Sequence, residues 1–256
     1  MPKVIEPAHF ERALRLASSA GNRVYARPAP IREGFVRAHS ETRPPLSRIM
    51  TGGGRGGEVR LKLYLSMLWI AAAPPYETTF PSRGWAELLG LWDPETAGAR
   101  RVADALVWLA SERLVRTQPM QGKPSVVYLL DDAGRGIAYK PPGVVHERYL
   151  KLPPSFWMQG WHVVLSAAAI ALLLVLRDQQ SLEPNKSIWV SPSRARELYM
   201  LSPDTWTKGT HELQDHGLVS IAHIPVSADA FGWRRVRNTY RFEMQRLDNP
   251  PKLGTE

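Results

Sequence analysis

Three side chains in the stretch 203–213 stand at helical spacing with chemistry suited to an anionic, hydrogen-bonding partner: Thr205, Lys208 and His211. An earlier stretch offers the equivalent set Thr96, Arg100 and Arg101. Further cations sit where the chain reads as hairpins: Lys123 beside Gly122, and Arg234, Arg235 and Arg237 after Gly232. Guanidinium and ammonium groups on exposed turns match phosphate, and the same groups on a helix face match base edges. Enzyme chemistry has far less support. The histidines at 9, 39, 146, 162, 211, 216 and 223 show no H-E-x-x-H spacing. The chain has no cysteine, which excludes disulfides and thiolate ligands or nucleophiles. The glycines of TGGGRGG at 51–57 are followed by no Gly-Lys-Ser/Thr, so they make no phosphate loop. No catalytic residue, metal ion, cofactor or small-molecule substrate is expected.

The elements that must carry these residues are clearest in 191–244. Ser191-Pro192 is a helix cap followed by proline at the first helical position, and Ser202-Pro203 repeats it. On the second helix Trp206, Thr210 and Leu213 share one face, with Asp204, Lys208 and His211 opposite. Glu212 is a competitor for Lys208. Gly217 supplies the left-handed stop. Leu218–Ile224 is rich in branched residues, and 236–244 alternates apolar and polar, so two strands flank a basic loop, 227–235. A helix, a turn, a second helix and a strand pair with a basic tip make a winged helix-turn-helix. In such a unit the second helix reads the major groove and the wing lies on phosphates.

The same order occurs earlier. SRGWAELLGL at 82–91 matches PSRARELYML at 192–201, with Glu87, Leu88 and Leu91 falling on Glu197, Leu198 and Leu201. Leu109, Leu114 and Val115 match Leu213, Leu218 and Val219 at a shorter offset, so the first copy carries extra residues within or before its second helix. Asp93-Pro94 is expected to start that helix. Arg100 lies opposite the core face of Val102, Leu106 and Leu109, with Asp104 one turn on as a candidate ion-pair partner. Val107 and Trp108 read either as a dimer face or as packing under the wing. Long apolar helices are expected before each copy, at 58–73 and 160–177. Overlapping the second of these stretches, Met158 to Leu176 lacks Asp, Glu, Lys and Arg, but His162 and Ser166 interrupt it, so burial is expected rather than a membrane span. No apolar leader run opens the chain.

The expected fold is mainly α with small β wings, an α+β chain of two tandem winged-helix domains. The division reads 1–57 as a flexible basic arm rich in Arg, Pro and Gly, 58–133 as the first domain, 134–150 as a linker, 151–246 as the second domain and 247–256 as a tail. Arg43, Arg48, Arg55 and Arg60 would let the arm lie along a groove. The formal charge is +9, with 25 of 33 basic residues arginine. That balance favours an acidic partner, although a GC-rich coding sequence yields the same bias.

The duplicated AELLGL/RELYML segment, the cap-proline helix starts and the two wings over 58–244 resemble the tandem winged-helix proteins of bacteria, above all plasmid replication initiators. The resemblance implies duplex binding, dimerisation through one domain and no chemistry of its own. It is architectural: no initiator signature, ATPase module or strand-nicking tyrosine motif stands in the sequence. The expectation is a sequence-specific double-stranded DNA-binding protein of a bacterial cytoplasm, a transcription regulator in the first instance. A plasmid or phage replication initiator is the alternative. A protein–protein adaptor without DNA binding is the alternative of another class.

Overall fold

Residues 7–39 and 41–51, expected as part of a flexible arm, fold against the rest of the chain. In the computed structural model, which describes residues 5–39, 41–51, 56–182, 188–225 and 236–253, α1 spans Pro7–Arg23, β1 Ala29–Arg32, α2 Glu33–Val36 and α3 Pro45–Thr51. Proline stands at the start of α1, and Phe10, Ala13, Ala17 and Gly21 form its buried stripe. The small residues let other elements approach closely: a Cβ on Gly21 would meet the Met158 sulfur at 2.9 Å. Ile31, Phe35, Val36, Leu46 and Ile49 are fully buried. They show no single period in sequence because a strand and two short helices present them in turn.

Next come α4 Gly56–Ile70, β2 Glu77–Thr78, α5 Ser82–Leu88, α6 Ala97–Ser111, β3 Val115–Met120 and β4 Lys123–Leu129. The second half holds β5 Tyr149–Leu152, α7 Ser155–Met158, α8 Trp161–Val164, α9 Ala167–Leu182, α10 Pro192–Tyr199, α11 Pro203–Asp215, β6 Val219–Pro225 and β7 Val236–Phe242, then a 3-10 helix at Met244–Asp248. The fold is mixed α/β, about half helical, with small antiparallel sheets. One sheet pairs β1 with β5, Ala29 opposite Leu152. A second has the order β2-β4-β3, and the third joins β6 to β7. Ile188 adds a bridge to Tyr240 of β7, the counterpart of β2 beside β4. The order helix, helix, helix, strand, strand thus occurs twice, with β2 in the first set and the single bridge at Ile188 in the second lying between the first two helices.

The first helix of each set is buried nearly all round, Val59–Trp69 in α4 and Ala169–Leu176 in α9, as a helix apolar on every face must be. The two touch, and one continuous apolar cluster runs from α1 to Leu247. No helix among the described residues is long and apolar enough to cross a membrane. The stretch 160–177 is not one helix. Leu165 turns extended, and Ser166 starts α9 by accepting the Ala169 N–H at 3.2 Å.

The N-terminal segment fastens both sets. Arg32 is 3% exposed and bonds Asp132, Glu147 and the Lys140 carbonyl, which also draws the stretch expected as a linker against β1. Arg48 pairs with Glu112 at the end of α6. Toward the second set, Arg37 bonds Asp178 of α9 at 2.6 and 3.0 Å, the Ala38 N–H donates to the Leu198 carbonyl at 2.7 Å, and the Ser47 hydroxyl donates to the Met200 carbonyl at 2.7 Å. Arg60 lies over the Trp108 ring at 4.6 Å. Arg48 and Arg60 are therefore spent on internal contacts rather than on a free arm. Arg55 lies outside the described residues. Of the expected tail, Leu247 is fully buried and its carbonyl accepts the Trp161 indole N–H at 3.1 Å.

His162 is fully buried in this core, its Nε2 donating to the Leu88 carbonyl at 2.8 Å while Nδ1 has no hydrogen-bond partner among the described residues. Nearby, the buried Lys62 ammonium donates to the Val163 carbonyl at 3.0 Å. Burial lowers the His162 pKa from 6.5 to about 4. The unfolded imidazole therefore takes up its proton from about pH 6.5 downward, whereas the folded one does not until about pH 4. Stability is complete above the upper value and lost as pH falls through the window, by up to about 3 kcal/mol from this group. Thermal melts at pH 7 and pH 4.5 should show a large fall for the native chain and a smaller one for His162→Gln. Equal falls would remove His162 from the account.

Candidate nucleic-acid interface

The two helix pairs are closed by turns of the same kind. After α5 the chain takes a left-handed residue at Gly90 (φ 60°), and after α10 it takes one at the matching Met200 (φ 48°). After α6 the left-handed residue is Arg113 (φ 58°), matching Gly217 (φ 68°) after α11. The following N–H closes the same bond in both, Leu114 to the Leu109 carbonyl at 3.0 Å and Leu218 to the Leu213 carbonyl at 2.8 Å. These are helix stops of one type.

The starts of the second helices differ. Ser202 caps α11 as expected, accepting from the Thr205 N–H at 3.0 Å, and Pro203 is its first residue. Asp93-Pro94, by contrast, does not start α6, which begins at Ala97. Residues 94–96 form a turn that holds part of the extra length of this copy. The Asp93 carboxylate accepts from the Thr96 hydroxyl and from the Thr96 and Ala97 N–H groups, the latter two at 3.3 Å. Those bonds hold its carboxyl below the usual range. The Thr96 and Thr205 hydroxyls are thus both engaged in starting helices.

The outward faces carry the remaining candidates. α6 packs on α4 and α5, with Val102, Ala105 and Leu109 buried, and exposes Arg100, Asp104 and Val107. Arg100 and Asp104 make no ion pair, so the expected competitor is not engaged. Arg101 is half-buried beside them. Trp108 packs beneath Arg60, which leaves Val107, 72% exposed, as the projecting apolar group of the pair. On α11, Thr210 and Leu213 face α9, while Asp204, Lys208 and His211 are exposed. Lys208 pairs with Asp204 at 2.8 Å, not with Glu212, both side chains 69% exposed. Exposed pairs of this kind contribute less than about 1 kcal/mol, so a phosphate competes readily. Glu212 turns inward and accepts the Ser166 N–H at 2.7 Å, tying α11 to the start of α9.

The first hairpin projects from the body: every residue from Arg116 to Ser125 is exposed, on both faces of the ribbon. It carries Arg116 and Lys123 and no acid. Lys123 opens β4 opposite Met120, next to Gly122, whose φ of 67° and open surroundings make the tight turn. Arg116, not singled out in sequence, lies over Tyr128 at 4.3 Å. Its signal in the sequence is the acid-free run from Leu114 to Leu130, which also holds Lys123. In the second hairpin Arg237 is half-buried, its guanidinium over Trp189 at 4.9 Å. Arg234, Arg235 and Trp233 lie outside the described residues. Among the described residues no group of three or more His, Asp or Glu is placed to hold a metal ion.

No protein family, curated protein or solved structure matches the chain.

The shared helix stops lead to a pair of stability measurements. Gly217→Ala places a Cβ in open space, so its cost is left-handed backbone strain alone, about 1 kcal/mol. Gly90→Ala adds a Cβ 2.6 Å from Val163 Cγ1 and should cost clearly more in denaturant unfolding. Equal losses would mean that the Gly90 turn is not packed against α8 as described.

Proposed function

We propose that this chain is a sequence-specific double-stranded DNA-binding protein, a bacterial transcription regulator built from two tandem winged-helix units. The observation that carries the reading is the repetition. Two sets of the same element order, closed by matching turns, each expose a second helix bearing an unburied cation, Arg100 in one and Lys208 in the other. The projecting hairpin with Arg116 and Lys123 supports it, since a ribbon with no acidic residue is suited to a phosphate backbone. In this reading α6 and α11 enter the major groove, and the hairpins lie on the flanking backbone.

One observation favours a second reading. A single core fixes the two sets to each other through α4, α9 and the N-terminal segment, so both helices would meet DNA at one fixed separation. That geometry also serves a replication initiator on repeated origin sites. Affinity selection of sheared genomic and plasmid DNA, sequenced at two salt concentrations, separates the two: promoters for the regulator, an array of direct repeats for the initiator. Uniform binding that collapses with salt would leave neither and favour an adaptor that contacts protein.

Individual residues have separable signatures. Arg116→Ala with Lys123→Ala should weaken binding to every duplex and reduce the slope of log affinity against log salt by up to about 2, as two lost phosphate contacts require. Arg100→Ala or Lys208→Ala should instead change the ranking of sequences, by about 1–3 kcal/mol at the position contacted. An unchanged salt slope in the hairpin variant would remove the wing from the interface.

A further inference from the structure

A cleft of about 430 Å³ lies between α1, the end of α4, β2 and α5. Its walls are apolar, with Leu16, Ala20, Val24, Ile70, Phe80 and Leu88 from four segments of the chain. Several of these are only partly covered by protein. Two cations border it, Arg23 from the last turn of α1 and Arg27 just beyond, both exposed and with no ion-pair partner among the described residues. The acid present, Glu77, is engaged by the Tyr128 hydroxyl, which it holds above its usual pKa. The Thr78 hydroxyl is buried at the same place with no hydrogen-bond partner among the described residues. The volume is within the range of small-molecule sites, which are apolar with few polar groups to fix orientation.

We infer that this cleft binds a small amphipathic carboxylate, its apolar body between α1 and α5 and its carboxyl on Arg23 and Arg27. The charge decides the class. A neutral apolar ligand would leave both guanidiniums unused, and a cation would meet them directly. The site abuts the reading machinery, because Leu88 ends α5, and α5 packs on both α1 and α6. A ligand that favours one setting of α5 against α1 therefore changes duplex affinity by the same factor as DNA changes ligand affinity. This regulatory half rests on the duplex-binding reading, and the site itself does not.

The test is calorimetric titration of the full chain with octanoate and, as its uncharged match, 1-octanol. Octanoate should bind saturably with one site, at least tenfold tighter than octanol. Arg23→Ala with Arg27→Ala should bring octanoate down to the octanol value, and Ala20→Trp, which fills the cleft, should abolish binding. The arginine variant alters exposed side chains only, so it remains informative if Ala20→Trp fails to fold. No saturation, equal affinity for acid and alcohol, or indifference to the arginine variant would overturn the site. A chain that binds octanoate but no duplex sinks the DNA reading and leaves the cleft standing, whereas duplex binding without octanoate binding overturns the cleft alone. Duplex affinity unchanged by saturating octanoate would overturn the coupling.

Discussion

The burial of Arg32 constrains everything else in this molecule. A guanidinium out of water is tolerable only if its donors are matched by acceptors fixed in place. Here the acceptors come from the end of the first helix–sheet set, Asp131 and Asp132, and from Glu147 just before the second. Burial holds the Asp132 carboxyl above its ordinary range even against Arg32. For Asp131 burial acts the same way, but Arg135 and Arg32 outweigh it and hold the carboxyl below that range. Such a network favours one arrangement because each partial one leaves a buried charge unpaired. β1 can then lie only beside β5, and the segment that carries it is fixed between the two sets.

From that position the segment acts as a clasp. Arg37 holds α9, and Ala38 and Ser47 satisfy the last carbonyls of α10, which a helix end must otherwise offer to water. Arg48 holds the end of α6. The segment thus braces α6 directly and α11 through α9, on which α11 packs. A site that reads a rigid partner such as a duplex benefits from this, because orientation fixed in advance is not lost on binding.

How much of this could be read from the chain alone divides along one physical line. Features set by neighbours in sequence were legible: the Ser202-Pro203 start, the Gly217 stop, the outward placement of Lys208 and His211, and the repeated order of two helices followed by two strands. Features set by distant partners were not. Arg32 and Arg48 look like solvated charge until Asp132 and Glu112 are brought to them. Asp93-Pro94 carries the local signal for a helix start, yet the left-handed Asp93 turns its carboxylate to cap residues 96 and 97 instead. Glu212, read as the partner of Lys208, is claimed by a backbone N–H on another helix. At Arg32, Arg48 and Glu212 a local preference of a few tenths of a kcal/mol yields to hydrogen bonds made largely out of water, whereas at Asp93 the competing bonds are themselves local and exposed.

The same division governs what the basic composition means. A net charge of +9 suits nucleic acid, but many of the arginines behind it are not offered to a partner. Arg32, Arg37, Arg48 and Arg135 are committed to carboxylates within the fold, and Arg60 and Arg237 lie over indole rings. What bears on function is where the uncommitted cations fall. Arg100 on α6 has no ion-pair partner among the described residues, and Lys123 stands on an acid-free ribbon beyond the core. Charge in those places contributes nothing evident to folding, and a position that folding does not need is the one a binding surface can use.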